Sequence, residues 1–371
     1  MALRLLEEWP LSMNLATTLV FLVFGQRLLA DLSHPVWFTL ILIWLLLIVL
    51  FSVFAVVRHA ETLAGKLGEP LGTLVLTLSV TGIEVMIIVA TMSTGEGSPT
   101  LARDAMFAVI MIVLNGMVGL TLLIGALKYR EQDYNLQGAN AFLAVILPLA
   151  VIGLVLPHYT RSSPDQTFSP IQAVFLTLVS VALYGVFLTI QIGRHRAYFR
   201  VPHPTAEAKI AKRRRLIVHE VYSVPYHVLL LLAYMVPLVI LTQQLAVPID
   251  FTIRVLGAPV ALAGLLVALL VLAPESLGAV RAALDNDMQR SVNILLGSAL
   301  ATTGLTIPAV LVFGLLARKS IVLGLDPIDI TLLSLTLVLS NMTFSSSRTN
   351  VLLGAVHLLV FLAYLLLIFQ R

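Results

Sequence analysis

The chain has 371 residues, of which 59% are hydrophobic and 11% charged, with a net charge of +4. An ordinary soluble domain is roughly a quarter charged, so this composition indicates an integral membrane protein, and the small net charge, its asymmetry gathered in one loop, speaks to membrane orientation rather than to nucleic acid. There is no cysteine, which excludes disulfides and thiolate metal sites and leaves oxygen and imidazole to hold any metal.

Crossing about 30 Å of hydrocarbon as helix takes about 20 mostly apolar residues, with every backbone group bonded internally. Eleven segments meet that requirement, at 12–30, 36–57, 71–92, 105–127, 139–157, 170–193, 222–246, 257–282, 291–316, 327–345 and 350–370. The first is interrupted by Gln26 and Arg27; acids precede it and no small-residue cleavage site follows, so it is expected to be retained. Most connections are short and rich in turn formers, as in "STGEGSP" and "TRSSPDQ". The exception is "GRHRAYFRVPHPTAEAKIAKRRRLIVHE", which carries eight Lys and Arg, including the run Lys212 to Arg215. The positive-inside rule assigns that loop to the cytoplasm as a lipid-facing topology signal. Eleven crossings then put the N-terminus inside and the C-terminus outside, in a cell inner membrane.

The basic loop divides the chain into comparable halves. "GTLVLTLSVTGIEVMIIVATMSTGEGSPTLARDAMFAVIMIVLNGMVG" aligns with "GLLVALLVLAPESLGAVRAALDNDMQRSVNILLGSALATTGLTIP", so that Glu84 meets Glu275, Arg103 meets Arg290, and Met111 and Asn115 face Ser298 and Thr302. Spans three and eight lie an odd number of crossings apart and so enter the membrane in opposite directions, the arrangement of an inverted repeat. The expected fold is an all-α polytopic bundle. Residues 1–35 form a leading helix, 36–193 a first five-helix repeat, 194–221 the basic loop and 222–371 a second repeat.

A carboxylate at the bilayer centre costs about 3 kcal/mol, so it persists where it is paired, protonated or facing a cavity. Glu84 has Thr81, Thr77 and Thr73 behind it at helical spacing, which sets hydroxyls on its face. Glu275 follows Pro274, whose missing N–H frees a carbonyl one turn earlier, and precedes Ser276. On the next helices Asn115, Ser298, Thr302 and Thr303 supply further oxygens. Two carboxylates among hydroxyls, amides and carbonyls suit a hard cation, with Glu84 and Glu275 as the metal ligands. Their two negative charges can be neutralised by one divalent cation, by two protons, or by a proton with a monovalent cation, and an empty doubly charged site is too costly to carry through lipid. Such a site must exchange.

"HAETLAGKLGEPLGTLVLTLSVTGIE" resembles the approach to the first signature of the calcium/proton exchangers, in the calcium/cation antiporter superfamily. "PESLGAVRAALDNDMQRSVNILLGSALATTGLTIP" is similar to the second signature pair, and "SSRTNVLLGAVHLLVFLAYLLLIF" to the last helix; the likeness is greatest to the bacterial ChaA-type branch, proton antiporters for calcium, sodium and potassium. It implies one leading helix plus two inverted five-helix repeats, with ion-binding acids at Glu84 and Glu275 and polar ligands at Asn115 and Ser298. The family's "GNAxE" is replaced here by "VTGIE" and "LAPES", Ala301 stands where the family has Gln, and the central segment is basic where some relatives have an acidic one. Both asparagines are gone, which shifts the expectation from calcium toward sodium or potassium.

His227 and His357, in spans seven and eleven, are expected mainly to donate hydrogen bonds between helices, with a proton relay as the alternative. Met106, Met111 and Met117 are expected to pack, since a thioether is a poor ligand for hard cations. Arg348 and Asn350 read as anchors of the last helix; Glu69, Asp285 and Asp287 could draw cations to the cytoplasmic face. The expected function is a cation/proton antiporter that moves Ca2+, Na+ or K+ against H+, with no permanently bound cofactor and no partner beyond its ions and the bilayer. The oligomeric state is left open, a homo-oligomer included. A passive channel is the alternative. "GxxxxGK[ST]", "HExxH" and "GxSxG" are all absent, which argues against ATP drive and against an intramembrane enzyme.

Overall fold

The computed structural model describes residues 8–68, 71–93, 99–161, 166–200 and 223–370, together with the backbone alone at Thr73. These residues form eleven helical rods and no strand: α1 (Trp9–Leu28), α2 (Pro35–Leu67), α3 (Leu71–Ser93), α4 (Leu101–Tyr129), α5 (Leu136–Tyr159), α6 (Pro170–Arg194), α7 (Val224–Arg254), α8 (Ala261–Leu284), α9 (Met288–Ala317), α10 (Pro327–Thr343) and α11 (Val351–Phe369). Ten are long and apolar enough to cross a membrane, and α10 is a shorter apolar helix. Each rod matches one of the eleven expected spans. The largest differences are at two ends, where α2 continues beyond residue 57 to Leu67 and α7 beyond residue 246 to Arg254. The added stretches, "RHAETLAGKL" and "VPIDFTIR", are too polar to count as hydrocarbon-spanning, but the first is built largely of strong helix formers.

Local sequence sets the helix ends. Ser169 and Gln172 make a reciprocal capping box at the start of α6, with Pro170 in its first turn. Asn135, Asp287 and Asn350 accept backbone N–H bonds at the starts of α5, α9 and α11. Asp287 and Asn350 thus act as caps. The α2–α3 turn uses Gly68 at φ +65°, which costs glycine little, and a Cβ on Gly72 would sit 2.2 Å from the Ala64 carbonyl oxygen.

Four rods contain a π-helical turn, in which the hydrogen-bond register slips by one residue: Ile112–Met117 in α4, Val151–Val155 in α5, Ile190–Arg194 in α6 and Thr302–Thr306 in α9. Pro148, which has no N–H to give, precedes the turn in α5. Asn115 and Thr302, opposite each other in the repeat register, both fall within such turns.

The helices form two compact units. In the first, α2 and α7 pack along each other, α3 lies on both, and α1 covers the pair. The first part of α8, to Pro274, also belongs to it. The second holds α4, α5, α6, α9, α10, α11 and the rest of α8. Its packing is reciprocal. α11 lies on the π turn and following segment of α4, as α6 lies on those of α9; α10 meets the first segment of α4, as α5 meets that of α9; and α10 touches α11 as α5 touches α6. Exchanging α4, α5 and α6 for α9, α10 and α11 leaves this pattern unchanged.

Candidate cation site

In the first unit, Glu84 is buried on α3, one turn after Thr81, which is buried too. The Thr81 hydroxyl has no hydrogen-bond partner among the described residues. A buried polar atom without a partner costs about 1–3 kcal/mol, and such atoms mark places where an ion or water belongs. Thr77 is half-buried; Thr73, the last of the expected hydroxyl stripe, has no described side chain.

In the second unit, Glu275 and Ser276 are half-buried on α8, just after Pro274. Ser298 on α9 donates its hydroxyl to Glu275 Oε2 at 2.7 Å. Charge-assisted bonds of this kind are roughly twice as strong as neutral ones and hold the carboxylate in one orientation. Thr302 and Thr303 are buried one turn further on, and their hydroxyls bond back to Ser298 O at 3.2 Å and Ala299 O at 3.0 Å. Hydroxyls bonded this way retain lone pairs for another group.

Asn115 is fully buried in the π turn of α4 and held from two sides. Its amide nitrogen donates to Thr336 Oγ1 on α10 at 2.7 Å, and its Oδ1 lies 3.2 Å from His357 Nδ1 on α11. The other ring nitrogen of His357 meets Thr343 Oγ1 at 2.9 Å. Met111 Sδ stands 3.4 Å from Thr336 Oγ1 and 3.6 Å from Asn115 Nδ2, so the thioether packs and also accepts weakly. Thr336 and Thr343 were not singled out from the sequence, although Thr336, Ser340 and Thr343 repeat at one-turn spacing along α10.

His227 has different company. Its Nδ1 lies 3.0 Å from His59 Nδ1, and His59 Nε2 is 3.6 Å from Glu8, which also accepts from Arg58 at 2.6 Å and from Tyr234 at 3.0 Å. This cluster ties the start of α1 to α2 and α7 and stands apart in sequence from both acids. Burial pushes the Glu8 carboxyl up, but His59, Arg58 and Tyr234 together outweigh that and hold it below the usual carboxylate range.

At the start of α4, Arg103 is buried, pairs with Asp104 at 2.9 Å and Asp326 at 3.5 Å, and donates to Gly324 O at 3.0 Å. Arg348 pairs with Glu131 at 3.1 Å and Asp133 at 3.6 Å, in keeping with an anchoring role. Glu69 and the Lys212 to Arg215 run lie outside the described residues. No group of three or more His, Asp or Glu that could hold a metal occurs among the described residues. Each unit holds one of the two glutamates, Glu84 one turn after the Thr81 hydroxyl and Glu275 bonded by the Ser298 hydroxyl.

Apolar helices that carry carboxylates at matched repeat positions, Glu84 buried and Glu275 half-buried, define a polytopic membrane protein of the cation-transporter class. The sodium/calcium exchanger protein family model matches residues 37–193 and 226–370, and the chain belongs to that family. It is 43% identical over 318 residues to the y4hA protein of Sinorhizobium fredii (strain NBRC 101917 / NGR234), covering 85% of each chain. To the sodium-potassium/proton antiporter ChaA of Escherichia coli (strain K12) it is 41% identical over 322 residues, covering 86% of each. The solved structure of native YfkE superposes with a TM-score of 0.72 at 15% identity, over 97% of this chain and 100% of that one. YfkE is described as a Ca2+/H+ antiporter.

Proposed function

We propose that the chain is a secondary antiporter that exchanges a cytoplasmic cation for protons from outside by alternating access, with Glu84 and Glu275 carrying the charge. The observation that carries this reading is the pair of acids at matched repeat positions, Glu84 buried beside an unmet hydroxyl and Glu275 held by Ser298 at 2.7 Å. An apolar helix tolerates such groups where they exchange charge with a ligand. Asn115, Ser298, Thr81 and Thr302 are the adjoining oxygen ligands in this reading, with Thr77, Ser276 and Thr303 as accessories. His227 and His357 act on the site through other residues or not at all.

For the ion, the 41% identity to a sodium-potassium/proton antiporter and the loss of both family asparagines favour Na+ and K+, with Ca2+ transported less well. An amide oxygen is a stronger ligand for a divalent ion than the threonine hydroxyl at 81 or the leucine at 272, so the site gives up more calcium than sodium affinity. The basic loop at 194–221 supports a cytoplasmic N-terminus, an outside C-terminus and an inner-membrane location.

The test uses proteoliposomes with an acidic lumen. Adding Na+, K+ or Ca2+ outside should collapse the pH gradient, with Na+ or K+ half-saturating at lower concentration relative to the family's calcium exchangers. Cation uptake that proceeds with no matching proton flux would identify a channel and reject the antiporter.

A further inference from the structure

We propose that His357 is a positioning residue: acting with Thr336, it fixes which end of the Asn115 amide accepts, and so presents an oxygen rather than an NH2 group to the cation. The proposal rests on the reading of Asn115 as an ion ligand.

The hydrogen-bond distances favour one arrangement. Thr336 has a single hydroxyl hydrogen, and the Leu332 carbonyl takes it at 2.7 Å, a better acceptor than Met111 Sδ at 3.4 Å. Thr336 Oγ1 must therefore accept from Asn115, which places the amide nitrogen on the α10 side at 2.7 Å and turns Oδ1 toward α11. An amide oxygen cannot donate, so His357 Nδ1, 3.2 Å away, carries the hydrogen. His357 Nε2 is then the acceptor for the Thr343 hydroxyl at 2.9 Å. The chain runs in one direction, from Thr343 through His357 and Asn115 to Thr336 and the Leu332 carbonyl. Flipping the amide sets donor against donor at His357 and acceptor against acceptor at Thr336; relieving both would take the Thr336 hydroxyl off the Leu332 carbonyl and move the His357 hydrogen to Nε2.

The backbone fixes the register of this clamp. Gly354 lies three residues before His357, and Gly119 four residues after Asn115. A Cβ on Gly354 would stand 2.6 Å from Leu123 N and 2.8 Å from Gly119 O, so α11 and α4 touch main chain to main chain, one turn from the His357–Asn115 bond. Gly116 faces the ring of Phe361, one turn further along α11. The slipped register at Ile112–Met117 thus sits where α11 grips α4. One lone pair of Asn115 Oδ1 is used by His357, and the second remains for a cation.

The experiment measures the cation concentration that half-saturates exchange in proteoliposomes, alongside the maximal rate. His357→Leu removes the donor and should raise half-saturation about tenfold with the maximal rate changed less than twofold, as expected for loss of one buried hydrogen bond. His357→Gln keeps a donor and an acceptor on one end and should remain within about threefold of wild type. Because His357 acts through Asn115, adding His357→Leu to Asn115→Ala should shift half-saturation no further than Asn115→Ala alone. Additive shifts, an unchanged half-saturation in His357→Leu, or a fall in maximal rate only, would each overturn the proposal. If Asn115→Ala itself leaves half-saturation at the wild-type value, Asn115 is not a ligand and both readings fail; if Asn115→Ala shifts it and His357→Leu does not, the positioning role fails alone. Should His357→Leu not insert, Thr343→Val carries the test: losing the hydroxyl that fixes the tautomer should raise half-saturation about threefold, and no shift overturns the proposal.

Discussion

The two units hold their polar groups in different ways. In the second, four candidate ligands are already engaged: Ser298 on Glu275, Asn115 on Thr336 and His357, Thr302 and Thr303 on carbonyls of their own helix. In the first, Glu84 stands one turn from a buried hydroxyl, on Thr81, that no described residue satisfies. The histidines of the two units differ in their partners. His357 belongs to a chain of uncharged groups that links α4, α10 and α11, whereas His227 belongs to a cluster with Glu8, Arg58 and His59 that links the start of α1 to α2 and α7. A pre-engaged ligand is held in place, so changing it should alter how tightly the site binds. An unmet ligand takes its geometry from the ion, so changing it should alter which ion is preferred.

The largest effect tests what the units share. Glu84→Gln and Glu275→Gln should each abolish exchange while leaving insertion intact, because an amide keeps the volume but does not titrate. Proton efflux from acid-loaded proteoliposomes measures this, and normal exchange in either variant would remove that glutamate from the site. Next in size is Ser298→Ala. Losing a charge-assisted bond to Glu275 should raise half-saturation by roughly tenfold for sodium and calcium alike, since the carboxylate is loosened for any ion. A change in ion ranking without that common shift would contradict the assignment of Ser298 as a fixed support.

These expectations draw unequally on sequence and structure. The eleven rods were legible because each needs its own apolar run, and Glu84 and Glu275 because a carboxylate in such a run is costly. Helix ends were less so: "RHAETLAGKL" is polar enough to end a hydropathy span, yet it continues α2 to Leu67. The π turns left no trace, since a slip in hydrogen-bond register requires no particular residue; only Pro148 hinted at one. The chain from Thr343 to Thr336 was illegible for another reason. It needs α10 and α11 to pack on α4, and no pattern within one helix says which neighbours it will have. Asp287 read as a residue that could draw cations and Asn350 as an anchor of the last helix, and the side chain of each also caps a helix, α9 and α11.

A smaller and more selective effect is expected in the first unit. Restoring "GNA" before Glu84, as Val80→Gly, Thr81→Asn and Gly82→Ala together, replaces the unmet hydroxyl with an amide. The added methyl at residue 82 fits, because a Cβ there meets only Met235 Cε, at 3.9 Å. The calcium-to-sodium preference should rise severalfold with the maximal rate little changed, as measured by ranking ions in one assay. An unchanged ranking would show that the unmet hydroxyl is not a ligand and would remove the contrast between the units.

The smallest effect concerns the charged cluster, which this contrast makes structural rather than ion-binding. Glu8→Gln should leave half-saturation and ion ranking as they are and lower the thermal midpoint by a few degrees at neutral pH, since Glu8 accepts from both Arg58 and Tyr234. The pH dependence follows from the sign of the shift. The folded-state pKa of Glu8 lies below its unfolded value, so its contribution is complete above the unfolded value, about 4.3, and is lost as pH falls through the folded one. Thermal midpoints of wild type and Glu8→Gln, followed in detergent, should therefore differ at pH 7 and converge in acid below that range. A gap that persists in acid would mean that the carboxylate charge is not what holds α1 to α2 and α7, and a shift in ion affinity would place this cluster in the transport site after all.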